Sequence, residues 1–317
     1  MVNYLNRRRF ISVMGLTSAS MALGFKPFYN NRGPSARNPL CVFSKCMQWL
    51  NYDDMASLTR EIGFDGIDLT VRPNGHVLPE RVKEDLPKAV AAIEKAGLKV
   101  YMLTTAIKSA NEVHTENILS TAASLGIKYY RTDWFNYRPE IDVLQNLSAF
   151  KEQLHGLQVL NKKYNMHGAY QNHAGAYFGS AVWDLWETIK NLDPNYIGCQ
   201  YDIRHATVEA PDTWPLCLAL LRPHIHCIAI KDFSVQQVDG KITYAAAPLA
   251  TGMADFRKYL GFLKSFQYHG PQSMHFEYPL GGAEEGSHQI TISNAAFAQA
   301  LKTDLIRYKN LLYETGL

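Results

Sequence analysis

The chain has 317 residues, 47% of them hydrophobic, and carries a formal net charge of +3 from 32 basic and 29 acidic side chains. Arg7, Arg8 and Arg9 lie in a stretch without acids and account for that surplus, so the rest of the chain is balanced. Such a balance excludes the clustered basicity that nucleic acid or an anionic membrane surface requires.

The first segment is set apart from everything after it. Asn6-Arg7-Arg8-Arg9-Phe10-Ile11 places paired arginines directly before a short apolar stretch, Phe10 to Leu23, with the small residues Ser20 and Ala22 suited to a signal peptidase. This is a twin-arginine-like leader. The stretch is short and rich in Ser, Thr and Gly, whereas a membrane span needs ~20 apolar residues. The expected organisation is therefore an export signal over 1–22, a linker over 23–37 and one catalytic domain over 38–317, giving an exported, periplasmic protein with no membrane contact beyond its leader.

From residue 40 onward, eight short apolar runs alternate with helical stretches. They are LCVFSK (40–45), GIDLTVR (66–72), LKVYMLTT (98–105), IKYYRTD (127–133), HGAYQNH (167–173), IGCQYDIRH (197–205), HCIAIKD (226–232) and PQSMHFE (271–277). Asn51 caps a helix to Ile62 that Gly63 stops, and Leu86 to Ala96 has apolar residues at helical spacing. Helices are also predicted over Asn111 to Leu125, from Pro139 towards Tyr164, over Trp183 to Leu192, from Pro211 through Leu221, from the Asp255 cap through Phe266, and over Ile290 to Leu312. Between the last two strands, Asp239-Gly240 separates Val235–Val238 from Lys241–Tyr244, the signature of a β-hairpin.

Eight strand–helix units predict an α/β fold, a closed (β/α)₈ TIM barrel whose site lies where the strands end. An open doubly wound sheet uses the same alternation, but it carries a glycine-rich phosphate turn after its first strand, absent here. Lys45, Asp68, Arg72, Arg131, Asp133, His173, Asp202, His205, Lys231 and Glu277 should then share one mouth. Cys41, Cys46, Cys199, Cys217 and Cys227 form no CxxC pair and are read as small core residues.

Gln171-Asn172-His173, Asp202-x-x-His205, Lys231-Asp232 and His275-x-Glu277 at the strand ends resemble the xylose-isomerase-like barrel superfamily of sugar and sugar-phosphate isomerases and epimerases, as do residues 63–68 and 248–256. The resemblance spans residues 39–315 and implies a divalent metal held by Glu, Asp, His and Glu from strands five to eight. Asp202 and Glu277 match that set. Gln171 stands where the first Glu is expected and Ala229 where the His is, so the implied site is either a loose Mg²⁺ or Mn²⁺ held by Asp202, Glu277 and Gln171, or metal-free with Lys231 supplying the positive charge.

Isomerisation or epimerisation requires a base beside a carbonyl and a positive group for the developing enediolate. Glu277 is the expected base, its pKa raised by burial and by Asp202, with Lys231 as the candidate electrophile. His205, oriented by Asp202, and His173 are the further acid/base candidates. Arg131, Trp134, Lys45 and Arg72 are placed to bind substrate, and aromatic residues near strand ends can stack on a sugar face. A carbohydrate isomerase or epimerase is the expected function, with a keto-sugar lyase or dehydratase and a catalytically silent sugar-binding protein as alternatives. A small carbohydrate is the expected partner, and the oligomeric state is left open.

The leader makes a direct prediction. N-terminal sequencing of protein from its native host should find the mature chain beginning near residue 23, outside the cytoplasm; cytosolic protein retaining residues 1–22 would contradict it.

Overall fold

A computed structural model describes residues 38–317; the sequence expectations for 1–22 and 23–37 lie outside the described residues. Eight parallel strands close into a barrel in the spatial order β1-β10-β7-β6-β5-β4-β3-β2. They are β1 (Leu40–Phe43), β2 (Gly66–Val71), β3 (Lys99–Thr105), β4 (Tyr129–Arg131), β5 (His167–Gln171), β6 (Ile197–Asp202), β7 (Ile225–Ile230) and β10 (Gln272–Met274). Seven of the eight apolar runs contain one of these strands whole, and β7 begins one residue before its run. The remaining pair, β8 (Asp232–Val238) and β9 (Lys241–Ala247), forms an antiparallel hairpin outside the barrel. Its turn residues Asp239 and Gly240 both have positive φ, 48° and 75°, which matches the right-handed twist of the flanking strands.

The surrounding helices are α1 (Tyr52–Ile62), α2 (Val82–Lys95), α3 (Thr115–Ser124), α4 (Val143–Tyr164), α5 (Trp183–Ile189), α6 (Ile203–Glu209), α7 (Trp214–Leu221), α8 (Phe256–Ser265) and α9 (Asn294–Thr315). Their ends follow side-chain chemistry. The Asn51 side chain accepts the Asp54 amide at 2.9 Å to start α1, and Gly63, at φ 102°, ends it in a conformation other residues resist.

Two prolines were poor guides to helix starts. The long helix begins at Val143, not Pro139, because Asp142 and Gln145 form a capping box there. The stretch after Pro211 remains a turn until Trp214, where Pro215 sits in the first helical turn and costs no hydrogen bond. Directly after β6 comes α6, absent from the sequence reading, with Asp202 as its cap: the Asp202 carboxylate accepts the His205 amide at 3.1 Å. His205 is therefore on a helical first turn rather than at a strand end.

Side-chain alternation divides each strand between the helix layer and the lumen. Met102, Ala169 and Cys227 pack together as a small apolar cluster separate from the main core, with Tyr129 against them. Two residues further along their strands come Thr104, Arg131, Gln171 and Ala229, so the lumen turns polar towards the strand ends. Asp68, fully buried, accepts hydrogen bonds from Thr104 Oγ1 at 2.9 Å and Ser273 Oγ at 2.6 Å, and burial raises its pKa. All five cysteines are buried free thiols.

His76 and His226 are buried enough that desolvation lowers each from 6.5 to about 4, so both are neutral in the native state. A histidine whose folded pKa lies below its unfolded value destabilises the fold as pH falls through that window. Chemical denaturation should therefore show stability constant above about pH 6.5 and declining towards pH 4, by at most on the order of 3 kcal/mol for each ring. Replacing His226 by Gln should flatten part of the decline.

Candidate active site

One chain of polar contacts crosses the mouth from β4 to the loop after β10. Arg131 Nη1 donates to Gln171 Oε1 at 2.7 Å, and Gln171 Nε2 donates to Asp202 Oδ2 at 2.8 Å. Lys231 Nζ lies 3.3 Å from the same Asp202 oxygen and 3.0 Å and 3.2 Å from the two oxygens of Glu277. Asp202 is fully buried and Lys231 is 5% exposed, whereas the Glu277 side chain keeps 30% of its surface open to the mouth. Asn172 clamps the Asp202 backbone, accepting its N–H at 2.7 Å and donating to its C=O at 3.1 Å.

Asp232, next to Lys231, takes no part in this pairing. Its carboxylate accepts three backbone N–H groups, from Phe233 at 2.8 Å, Gly252 at 2.9 Å and Ala254 at 3.1 Å, and so ties the loop after the hairpin to the end of β7. That role leaves Lys231 to the two carboxylates.

The histidines form a second layer. The rings of His173 and His205 are 3.9 Å apart, and His205 Nε2 lies 3.6 Å from Asp202 Oδ2. Trp134 packs edge-on against His173 at 4.8 Å and beneath the Arg131 guanidinium at 4.4 Å, with Tyr177 5.0 Å from His173. On the other side Phe43 packs at a tilt against His275, ring centres 4.4 Å apart, and Arg72 sits over Phe43 at 5.6 Å. The structure thus gathers Glu277, His205, His173, Lys231, Asp202, Gln171, Arg131, Trp134 and Arg72. Lys45 lies on the turn after β1, beside Gly286, and makes no ion pair among the described residues, and Asp133 pairs with Lys108 at 3.3 Å.

Electrostatics corrects one expectation. Burial by itself would raise the Glu277 pKa, but the Lys231 ammonium, helped by His275, holds it well below the usual carboxylate value. The like-charge effect of Asp202 is masked because the lysine stands between the two acids. Burial, then Lys231, lowers both His173 and His205, the latter well below 6.5, so both imidazoles are neutral at pH 7. Burial also brings Arg131 down to about 10, still a cation.

Several buried donors and acceptors here lack a partner among the described residues: Arg131 Nε, Trp134 Nε1, His205 Nε2, His275 Nε2 and both amide atoms of Gln200. Unmade hydrogen bonds of this kind are rare in native interiors, and their concentration in the lumen suits a ligand bearing several hydroxyl or carbonyl groups. Sequence reasoning missed Asn172 and His275 as partners of Asp202 and Glu277. Counting by twos along the eighth run would have put His275 beside Glu277 on the lumen face.

A closed parallel barrel with acid, base and cation at the strand ends defines a TIM-barrel site. The chain belongs to the xylose isomerase-like TIM barrel family, whose profile matches residues 56–300. Among solved structures, 3-keto-D-glucoside 4-epimerase from E. coli is similar over 86% of this chain and 100% of its own, at 16% identity and TM-score 0.63. A probable 3-DHS dehydratase of petrobactin synthesis from Bacillus anthracis covers 86% of this chain and 99% of its own, at 14% and 0.64. A xylose isomerase-like TIM barrel protein from Mycobacterium smegmatis, solved in complex with magnesium, covers 84% and 97%, at 16% and 0.58. At these identities the likeness is one of fold. No curated protein gives a significant match.

The residues present do not fit a divalent metal at this position. Gln171 spends its carbonyl oxygen on Arg131, and Ala229, opposite Asp202 in the β6–β7 register, offers only a methyl group. The space between the two carboxylates holds the Lys231 ammonium, and a second cation there would be repelled. Among the described residues no group of three or more His, Cys, Asp or Glu side chains is placed to hold a metal ion. The loose Mg²⁺ or Mn²⁺ site expected from the resemblance is thus replaced by an internal cation.

Adding Mg²⁺ or Mn²⁺, or removing metals with EDTA, should leave the thermal midpoint unchanged, and elemental analysis should find no stoichiometric metal. Lys231→Met, which leaves two facing carboxylates without their cation, should cost on the order of 3 kcal/mol in chemical denaturation. A tightly bound metal in the parent protein would overturn the assignment.

Proposed function

We infer that this protein is a carbohydrate isomerase or epimerase, moving a proton next to the carbonyl of a sugar or cyclitol through an enediolate. The observation that carries the reading is the Lys231 ammonium held between Asp202 and Glu277, with neutral imidazoles beside it at the mouth. Proton abstraction beside a carbonyl needs a carboxylate or imidazole within reach of the C–H and a fixed positive group near the oxygen that becomes anionic. Both are present within one cluster. The sugar epimerase and the dehydratase among the structural neighbours support this class of substrate and chemistry.

In the proposed reaction Glu277 takes the proton. Its depressed pKa makes it a modest base, so the substrate's C–H must be acidified, and a hydrogen bond from Lys231 to the adjacent carbonyl oxygen acidifies that C–H. As negative charge moves onto that oxygen, the ammonium stabilises it without solvent reorganisation. His205 is placed to donate a second hydrogen bond, the protonated Glu277 returns its proton to the neighbouring carbon, and His173, neutral with its Nδ1 proton held by the Ala174 carbonyl, offers Nε2 as an acceptor to a substrate hydroxyl. Arg131, Trp134 and Arg72 orient the hydroxyl groups, the indole ring offering a flat face and an N–H donor.

The same base would serve a dehydratase if a leaving hydroxyl stood next to the carbanion, so the experiment must separate the two. Keto-sugars incubated with the protein in D₂O should gain deuterium beside the carbonyl without loss of water; water loss would make the protein a lyase. Glu277→Gln should lower exchange by about 100-fold or more while binding changes by less than about tenfold. Equal exchange in parent and variant would remove Glu277 from the base role, and no exchange with any bound sugar would favour a silent binder.

A further inference from the structure

The two imidazoles at the mouth are held by neighbours that can each do only one thing. Arg204, the residue before His205 in the first turn of α6, places Nη1 2.8 Å from His205 Nδ1. A guanidinium has donors and no acceptor, so Nδ1 accepts and the ring's single proton lies on Nε2. That N–H is the buried donor left without a partner, 3.6 Å from Asp202 Oδ2. His173 has the opposite constraint: its Nδ1 faces the Ala174 carbonyl at 2.8 Å, and a carbonyl only accepts, so Nδ1 carries the proton and Nε2 is bare. Adjacent rings thus present one donor and one acceptor.

What holds Arg204 is the hairpin. Its Nη2 donates to the Tyr244 carbonyl on β9 at 3.2 Å, and its guanidinium lies 5.8 Å from the ring centre of Phe233 on β8. Arg204 makes no ion pair with a carboxylate among the described residues. Phe233 and Tyr244 pack edge-on at 5.9 Å, so the base of the hairpin is a unit. No spacing in the sequence points to this link, since neighbouring residues on a helix diverge and the hairpin is 40 residues away.

We propose that Arg204 is a positioning residue through which the β8–β9 hairpin fixes His205 in the Nε2–H form, so that the ring donates to the substrate's oxygen and does not act as a base. The mechanistic use of that proton rests on the isomerase reading; the tautomer itself does not. With the hairpin seated, one hydrogen-bond chain runs from Tyr244 O through Arg204 and the imidazole to the mouth. A hairpin that moved away would release the guanidinium and let the His205 proton shift to Nδ1, withdrawing the donor.

The test is nitrogen-15 NMR of histidine-labelled full-length protein at pH 7.5, with His205 assigned from the signals lost in His205→Gln. The parent should show a bare Nδ1 and a protonated Nε2 for His205, and the reverse for His173. Arg204→Met should shift His205 to Nδ1–H or a mixture, and Arg204→Lys should restore the parent pattern, because an ammonium also only donates. Replacing residues 234–245 by an Asn-Gly turn joining Phe233 to Ala246 deletes the segment that carries the Tyr244 carbonyl and should act like Arg204→Met. In deuterium exchange, Arg204→Met should lower the rate by about tenfold with substrate binding changed less than about threefold. A protonated Nδ1 in the parent, or an unchanged tautomer in Arg204→Met, overturns the proposal; an unchanged tautomer in the shortened hairpin overturns the link to it. These spectra need no substrate. A normal tautomer switch with no exchange activity in any variant would therefore count against the isomerase reading and not against Arg204.

Discussion

Two carboxylates that face each other at the mouth of a barrel repel unless a proton or a cation lies between them, and in this chain the cation is a side chain. Asp202 is fully buried and Glu277 partly so, and the Lys231 ammonium stands 3.3 Å from one and 3.0 Å from the other. The desolvation of three charged groups is offset only because each has further partners: Gln171 and the His205 amide on Asp202, His275 near Glu277. Remove the lysine and the local field reverses, which raises the Glu277 pKa and draws the imidazoles towards protonation. The ionisation state of the whole site hangs on that one ammonium.

The surrounding fold serves to keep that ammonium in place. Asp232 anchors the chain immediately after it through three backbone N–H groups, and the register of β7 against β6 sets Ala229 opposite Asp202, so the lysine is the next lumen-facing residue on its strand. A metal would be exchangeable and would need ligands that release protons to bind it. A lysine is covalently present, and its position depends on strand geometry alone. With an amide at 171 paired to Arg131 and a methyl at 229, the positive charge between the two carboxylates is carried by the polypeptide.

The hairpin adds a second level of control. Its strands leave the barrel directly after Lys231, and its base contacts Arg204, two residues after Asp202. The hairpin is thus joined to residues that set charge and proton position. Loops after barrel strands are where a TIM-barrel family varies its chemistry on a constant frame, and this one bears on the proton inventory of the site as well as on access.

Much of the frame was legible in the residues themselves. All eight strands could be read because each is a short apolar run ended by polar residues, and the hairpin turn because Asp239-Gly240 tolerates positive φ; such preferences act over a few neighbouring residues. Asn51, Asp255 and Gly63 marked helix ends for the same local reason, whereas Pro139 and Pro211 misled because proline permits a helix start without requiring one. The candidate residues of the mouth were also legible, since the C-terminal ends of barrel strands must converge. Their electrical and protonation states were not. Whether Glu277 is raised or lowered depends on where the Lys231 nitrogen comes to rest, and the His205 proton depends on a guanidinium held by a hairpin far along the chain. Distances of 3 Å between residues dozens of positions apart are fixed by barrel closure and strand register, and only the tertiary structure sets them.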